Sequence, residues 1–239
     1  MKYGIDILAF GAHADDVEIG MGGSIAKWAE EGKRIVICDV TKAQLSSNGT
    51  VDSRIKEAEQ AGHILGIQER VNLGLQDRGL YINEENISKI AEAIRRYRPA
   101  YIFAPYSIDR HPDHGNCSKL VEEASFSAGI RKYCSGGCES PHKAKGLFFY
   151  MINGFHHPDF AVDISSHEEK KIAALHAYGS QFLQGDSGVK TPLTEGYVET
   201  VTARDRLFGK ESGVSFAEGY KTKQPLLVNF SIDGEEIWV

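Results

Sequence analysis

At 239 residues, with 41% hydrophobic and 25% charged side chains, the chain has a globular protein's composition and enough length to bury a sizeable core. A formal net charge of −6 argues against a general nucleic-acid binder, which carries a basic face, while leaving room for a local basic pocket. Four cysteines are too few to staple a chain this long, no stretch resembles a spanning helix or a signal peptide, and a cytoplasmic protein with reduced thiols is expected.

In chain order, residues 4–11 (GIDILAFG) are a short apolar run closed by glycine and predict a buried strand. Residues 20–31 carry Ile25, Trp28 and Ala29 at helical spacing, with Gly32 as the stop. Residues 33–40 (KRIVICDV) predict a second strand. Residues 52–65 predict a helix capped by Asp52 or Ser53, with Ile55, Ala58, Ala61 and Leu65 as its apolar stripe. A short strand over 70–73, a helix over 84–98 stopped by Pro99, a strand over 100–105 (AYIFAP) and a helix over 113–129 follow. Strands separated by helices require crossovers, so the fold class is α/β: a Rossmann-like, mostly parallel sheet with helices on both faces.

The second half is less regular. Residues 145–152 and 226–232 predict strands and 166–178 a helix, separated by Gly-rich segments over 129–146 and 179–218 that suit lids or interface loops. The chain therefore reads as one domain over 1–239. Its Rossmann-like half, 1–130, carries the site, and a smaller loop-rich C-terminal elaboration, 131–239, covers it.

Two clusters carry the chemistry: His13-Ala14-Asp15-Asp16 after the first strand and His111-Pro112-Asp113-His114 after the fourth. In a doubly wound sheet of order 3-2-1-4 these strands are neighbours, and the crevice beyond their carboxyl ends binds ligands. Two imidazoles and one carboxylate would leave a metal an open position, as catalytic sites require. A helical turn starting at His13 would put His13 and Asp16 on one side, leaving Asp15 free as a base. Taken singly, an Asp-Asp pair after a strand is more often a helix cap, and a His-x-x-His is more often not a ligand pair. Their meeting at one switch point favours a metal site.

At these residues the chain resembles the LmbE/PIG-L family of zinc-dependent deacetylases. The family's His-Pro-Asp-Asp motif stands here as His13-Ala14-Asp15-Asp16-Val17-Glu18, where Ala14 alters loop stiffness rather than chemistry. The His111–His114 motif and the Arg54-x-x-Glu57 pattern match in full, and the resemblance extends through 176–181 and 216–220. It implies His13, Asp16 and His114 as metal ligands and Asp15 as general base or bifunctional acid/base. It further implies that His111 stabilises the tetrahedral intermediate, Arg54 contacts substrate, Asp77 positions the sugar or orients a catalytic group, and Tyr197 assists the oxyanion from a late loop.

Within the family, the segment 109–114 (DRHPDH) most resembles the bacillithiol-pathway enzymes that act on N-acetylglucosaminyl-malate, and Arg110 would pair a malate carboxylate. The implied cofactor is Zn²⁺, with Fe²⁺ also suited to these ligands. The implied partners are a small amino-sugar substrate and further copies of the chain, up to a hexamer, with no nucleic acid or membrane. Three alternatives stay open: another amino sugar such as a chitooligosaccharide, phosphoester hydrolysis, and binding without turnover. One three-ligand site weakens the second, and Asp15 beside His111 weakens the third.

Several features read as bland. Cys134 and Cys138, with His142 nearby, lack a standard metal-ligand spacing. Cys38 and Cys117 read as packing, and His63, His156, His157 and His176 as surface or structural residues. Gly20, Gly22 and Gly23 fall too late after the first strand for a dinucleotide fingerprint.

Overall fold

The computed structural model describes residues 4–133, 140–183, 188–229 and 237–238, so Cys134 and Cys138 lie outside the described residues. The first half alternates β1 (Ile5–Gly11), α1 (Asp16–Glu30), β2 (Ile35–Thr41), α2 (Val51–Leu65), β3 (Glu69–Leu75), α3 (Glu84–Tyr97), β4 (Pro99–Pro105) and α4 (Pro112–Ala128). The second half adds β5 (Gly146–Tyr150), β6 (Phe160–Asp163), α5 (Glu168–His176), α6 (Gly179–Phe182), α7 (Tyr197–Ser212) and β7 (Ala217–Thr222). The short strands β8 (Val228–Asn229) and β9 (Ile237–Trp238) pair separately, so only part of the strand expected over 226–232 falls among described residues.

Seven strands form one sheet in the order β3-β2-β1-β4-β5-β7-β6. The first five are parallel and β7 is antiparallel to both its neighbours. The α/β expectation and the central order 3-2-1-4 both hold. Alternation along β1 separates the core into two layers. Ile7 and Ala9 face a cluster built with α1, α2 and α5, while Leu8 and Phe10 face one built with α3 and α4. Burying each large apolar side chain stabilises the fold by about 1.5–3 kcal/mol.

Several expected details change. The α2 cap is Thr50, which forms a reciprocal capping box with Ser53, and Ile55 is 42% exposed rather than part of the stripe. Pro99 opens β4, at a strand's first position where its missing N–H costs nothing, and Arg98 ends α3 in a left-handed conformation. The described residues of the segment 179–218 include α6, α7 and the start of β7 rather than loop alone. β-Branched residues at the start of α7 obscured its helical period, and β6 and β7 are too short to alternate clearly.

Helix α1 begins at Asp16 and runs through its glycines, because tertiary packing overrides their low propensity. A Cβ at Gly20 would lie 2.1 Å from Tyr150 Cδ2, and one at Gly23 would meet Ile164 at 2.7 Å. The helix kinks at Met21, whose φ of −150° is non-helical. The Glu218 carboxylate then accepts the N–H groups of Gly23 (2.9 Å) and Ser24 (2.7 Å), as a cap would.

Glu218 also meets the fully buried Lys171 ammonium (2.8 Å), which pairs with Asp205 on α7 as well. Glu168, one turn before Lys171, is pushed up to about 7, first by burial and then by Asp205 and Glu218, against the pull of Lys171. Its charged form is thus disfavoured in the fold. That penalty is absent below the ordinary carboxyl value of 4.5 and grows as pH rises toward 7. Glu168→Gln is therefore expected to raise Tm by roughly 2–4 °C at pH 8. The gain should vanish near pH 4.5 in paired thermal melts; an equal gain at both pH values would contradict this account.

No helix among the described residues is long and apolar enough to cross a membrane.

Candidate active site

All five parallel strands deliver residues to one cavity of about 320 Å³ at their carboxyl ends. His13 to Asp16 follow β1, Leu45 follows β2, Asp77 follows β3, His111 and His114 follow β4, and Asn153 follows β5. Tyr197, the first residue of α7, closes one wall. The expected residues are therefore brought together at the switch point.

Asp16 stands between the imidazoles of His13 and His114. Its Oδ2 is 3.7 Å from His13 Nδ1 and its Oδ1 is 3.1 Å from His114 Nε2. Each ring's other nitrogen is held by a different carboxylate: His13 Nε2 by Asp77 Oδ1 at 3.3 Å and His114 Nδ1 by Asp109 Oδ1 at 3.0 Å. This is the outer-shell pattern that leaves a lone pair free for a metal. Asp113 Oδ2 lies 3.7 Å from His13 Nε2, while Arg78 N–H fixes the same oxygen at 2.7 Å.

His111 stacks on His114 with centroids 4.7 Å apart, and ring nitrogens of His13, His111 and His114 lie within 4.8 Å of one another. His111 Nδ1 accepts the Asp113 N–H (3.2 Å), so the neutral ring carries its proton on Nε2 as a donor.

The electrostatics match a cation site. Burial alone would lower the affinity of His114 for a proton, yet Asp16 and Asp109 raise its pKa to about 9. Burial likewise works against a charged His13, but hydrogen bonds to Asp113, Asp16 and Asp77 raise it. The cluster thus holds more carboxylate charge than its imidazoles balance, and a divalent cation on Asp16 and the two free nitrogens would balance it. Two nitrogens and a carboxylate oxygen suit Zn²⁺.

Asp15 caps α1 with φ 111°, a left-handed backbone that costs a non-glycine residue about 1–3 kcal/mol. Its carboxylate faces Arg54, whose Nη2 lies 3.2 Å from Asp15 Oδ2. Burial pushes the Asp15 carboxyl up to about 6, with Arg54 opposing and Asp16 adding to the rise. Arg54 is itself buried, donates to the Ala14 carbonyl and lies over the Tyr178 ring. A proline at position 14 would keep that carbonyl. Glu57, the other half of the Arg54 pattern, binds Ser180 N and Oγ (both 2.7 Å) and so ties α2 to α6.

The remaining expected residues divide. Asp77 orients His13 and accepts the Leu45 N–H (2.8 Å). Arg110 is exposed at the cavity edge and makes no hydrogen bond or ion pair among the described residues. The Tyr197 hydroxyl donates to Asn153 Oδ1 (2.9 Å), with the Ile152 carbonyl at 3.2 Å. Sequence reasoning assigned no role to Asp109, Asp113 or Asn153. Asp113 sits inside the second motif and Asp109 two residues before it, where acidic neighbours of a His-x-x-His pair are a usable signal; Asn153 offered none. Cys38 and Cys117 lie in the core, as expected of packing residues, and His142 bonds the Pro99 carbonyl (2.7 Å).

Fold and site together define a Rossmann-like α/β protein with a His/Asp cluster able to hold a metal ion at its switch point. Residues 8–125 match the family model described as PIG-L: GlcNAc-PI de-N-acetylase. The chain is 30% identical over 229 residues to diacetylchitobiose deacetylase of Thermococcus kodakarensis, covering 90% of this chain and 82% of that one. It superposes with a TM-score of 0.85 and 39% identity on the conserved protein TT1542 from Thermus thermophilus, covering 93% and 96%. A probable N-acetyl-α-D-glucosaminyl L-malate deacetylase 2 of Bacillus anthracis is 22% identical, covering 86% and 94%. The chain belongs to the PIG-L family of N-deacetylases.

Proposed function

We propose that the chain is a Zn²⁺-dependent hydrolase that removes the acetyl group from an N-acetylglucosamine conjugate. The observation that carries this is the Asp16 carboxylate between two imidazoles whose far nitrogens are each held by a carboxylate. His13, Asp16 and His114 would hold the ion, which when bound supplies Lewis-acid polarisation of the scissile carbonyl and acidifies the attacking water.

The protein's own groups do the rest. Asp15, its carboxyl held near 6 by burial, takes the water's proton and returns it to the departing amine nitrogen. Arg54 holds that carboxylate in place. His111 Nε2–H donates to the oxyanion as the carbonyl becomes tetrahedral. Asp77 and Asp109 keep the two ligand rings turned toward Asp16.

For the sugar conjugate, the 30% identity to a protein named diacetylchitobiose deacetylase favours an N-acetylglucosamine disaccharide. A malate conjugate is the second reading, favoured by the unengaged Arg110 guanidinium at the cavity edge.

The test is acetate release from diacetylchitobiose and from N-acetylglucosaminyl-malate, before and after chelation and Zn²⁺ restoration. Release from either compound that stops on chelation and returns with Zn²⁺ supports the deacetylase; none from both removes it. Under the second reading Arg110→Ala raises KM for the malate conjugate by roughly 10–100-fold, since a hydrogen bond to a charged group contributes about 1.5–3 kcal/mol. A KM unchanged by that substitution removes the carboxylate contact.

A further inference from the structure

The oxygen of Asp109 that holds His114 is crowded with donors. Asp109 Oδ1 accepts from the His111 N–H (2.7 Å), from Asn153 Nδ2 (2.9 Å) and from His114 Nδ1 (3.0 Å), and its Oδ2 accepts the Asn153 N–H (2.9 Å). Burial alone would raise this carboxyl, yet the His114 hydrogen bond and charge hold it below its ordinary value. Asn153 thus supplies two of these four donors, one from the backbone and one from the side chain.

The amide's orientation is set by the carboxylate, which can only accept, so Nδ2 faces Asp109. Asn153 Oδ1 is then turned toward Tyr197, whose O–H donates to it at 2.9 Å. A flipped amide would set its carbonyl oxygen against the carboxylate and leave the tyrosine proton without this acceptor. The backbone just before Asn153 is tied as well. Arg204 on α7 donates to the Ile152 carbonyl (2.7 Å) and to the Ile19 carbonyl on α1 (2.9 Å). The stacked rings of Phe182 and Tyr197, with centroids 6.0 Å apart, help fix the tyrosine.

From this geometry we infer that Asn153 is a positioning residue for the metal site, transmitting the placement of Tyr197 through Asp109 to the tautomer and angle of His114. The relay runs from Tyr197 O–H to Asn153 Oδ1, from Asn153 Nδ2–H to Asp109, and from His114 Nδ1–H to the same oxygen. His114 Nε2 is then left bare beside Asp16 Oδ1. Asn153 itself touches neither the metal position nor the scissile bond in this scheme. The inference rests on the metal reading given above.

The experiment is competition for Zn²⁺ between the protein and a chromophoric chelator, using the wild type, Asn153→Ala, Tyr197→Phe and the double variant. Outer-shell changes at metal sites typically cost 10–100-fold in affinity. Asn153→Ala should fall at the lower end, weakening Zn²⁺ binding by about 10-fold, and Tyr197→Phe by about 3-fold. Because the two act in series, the double variant should bind no more weakly than Asn153→Ala alone. A purely structural role would lower the Tm of the metal-free protein and leave Zn²⁺ affinity unchanged.

Wild-type affinity in Asn153→Ala, or multiplicative losses in the double variant, would overturn the relay. Should Asn153→Ala fail to fold, Tyr197→Phe removes a single oxygen atom and decides alone: undiminished Zn²⁺ affinity in it overturns the inference. A wild-type chain that binds no Zn²⁺ sinks the metal reading instead, which keeps the two failures apart.

Discussion

Asp15→Asn is expected to keep its Zn²⁺ and lose about 10²–10⁴-fold in acetate release, the usual contribution of a positioned acid/base. Asparagine matches aspartate in shape and is among the few residues that tolerate left-handed backbone, so the φ of 111° at the head of α1 survives the change. What disappears is the proton acceptor and the charge facing Arg54. Metal content by elemental analysis and single-turnover acetate release separate the two consequences. A metal-loaded variant within about threefold of wild-type turnover would falsify the base assignment. Some stability should also be lost, because the buried guanidinium keeps its charge and loses its partner. The thermal melt reports that loss separately from the chemistry.

The largest expected effect on stability lies far from the reaction. Lys171→Met should cost about 3–5 kcal/mol, because removing one partner of a buried ion pair strands the others. For a chain of this size that corresponds to a Tm lower by roughly 6–20 °C. The ammonium is fully buried between Asp205 and Glu218, so its loss sets two carboxylates against each other without solvent. The stranded carboxylates relieve the repulsion by taking protons, so the deficit should shrink as pH falls from 8 toward 5. Denaturant melts at both pH values measure it, and a wild-type midpoint at pH 8 would remove the argument. Since Glu218 also caps the kink in α1, partial melting here should loosen Asp16 as well.

The parallel half of the fold and the meeting of the two motifs at one cavity were legible because each rests on a local signal. Buried parallel strands read as continuous apolar runs, of which ILAFG and RIVICDV are plain cases, and the switch-point rule then joined His13 to His114. The antiparallel extension was not legible. Phe160–Asp163 is four residues long, and Ala217–Thr222 contains a buried glutamate whose partners, Gly23, Ser24 and Lys171, are remote in sequence. The same reason hid Asn153, since an asparagine after a strand carries no periodicity and its role exists only once Tyr197 and Asp109 are beside it. Arg54 shows an intermediate case. Its pattern with Glu57 was visible, but its engagement with Asp15 and Ala14 required the folded turn.

The glycine face of α1 gives the site an unexpected mutational map. Tyr150 lies where a side chain at Gly20 would be, and its hydroxyl donates to the Phe10 carbonyl (2.6 Å), a short step before the His13 turn. A methyl group at position 20 would push that ring, and the ring bears on the strand end that leads to His13. A residue that contributes no donor atom, no charge and no proton thereby sets how much room the site's supporting strand has.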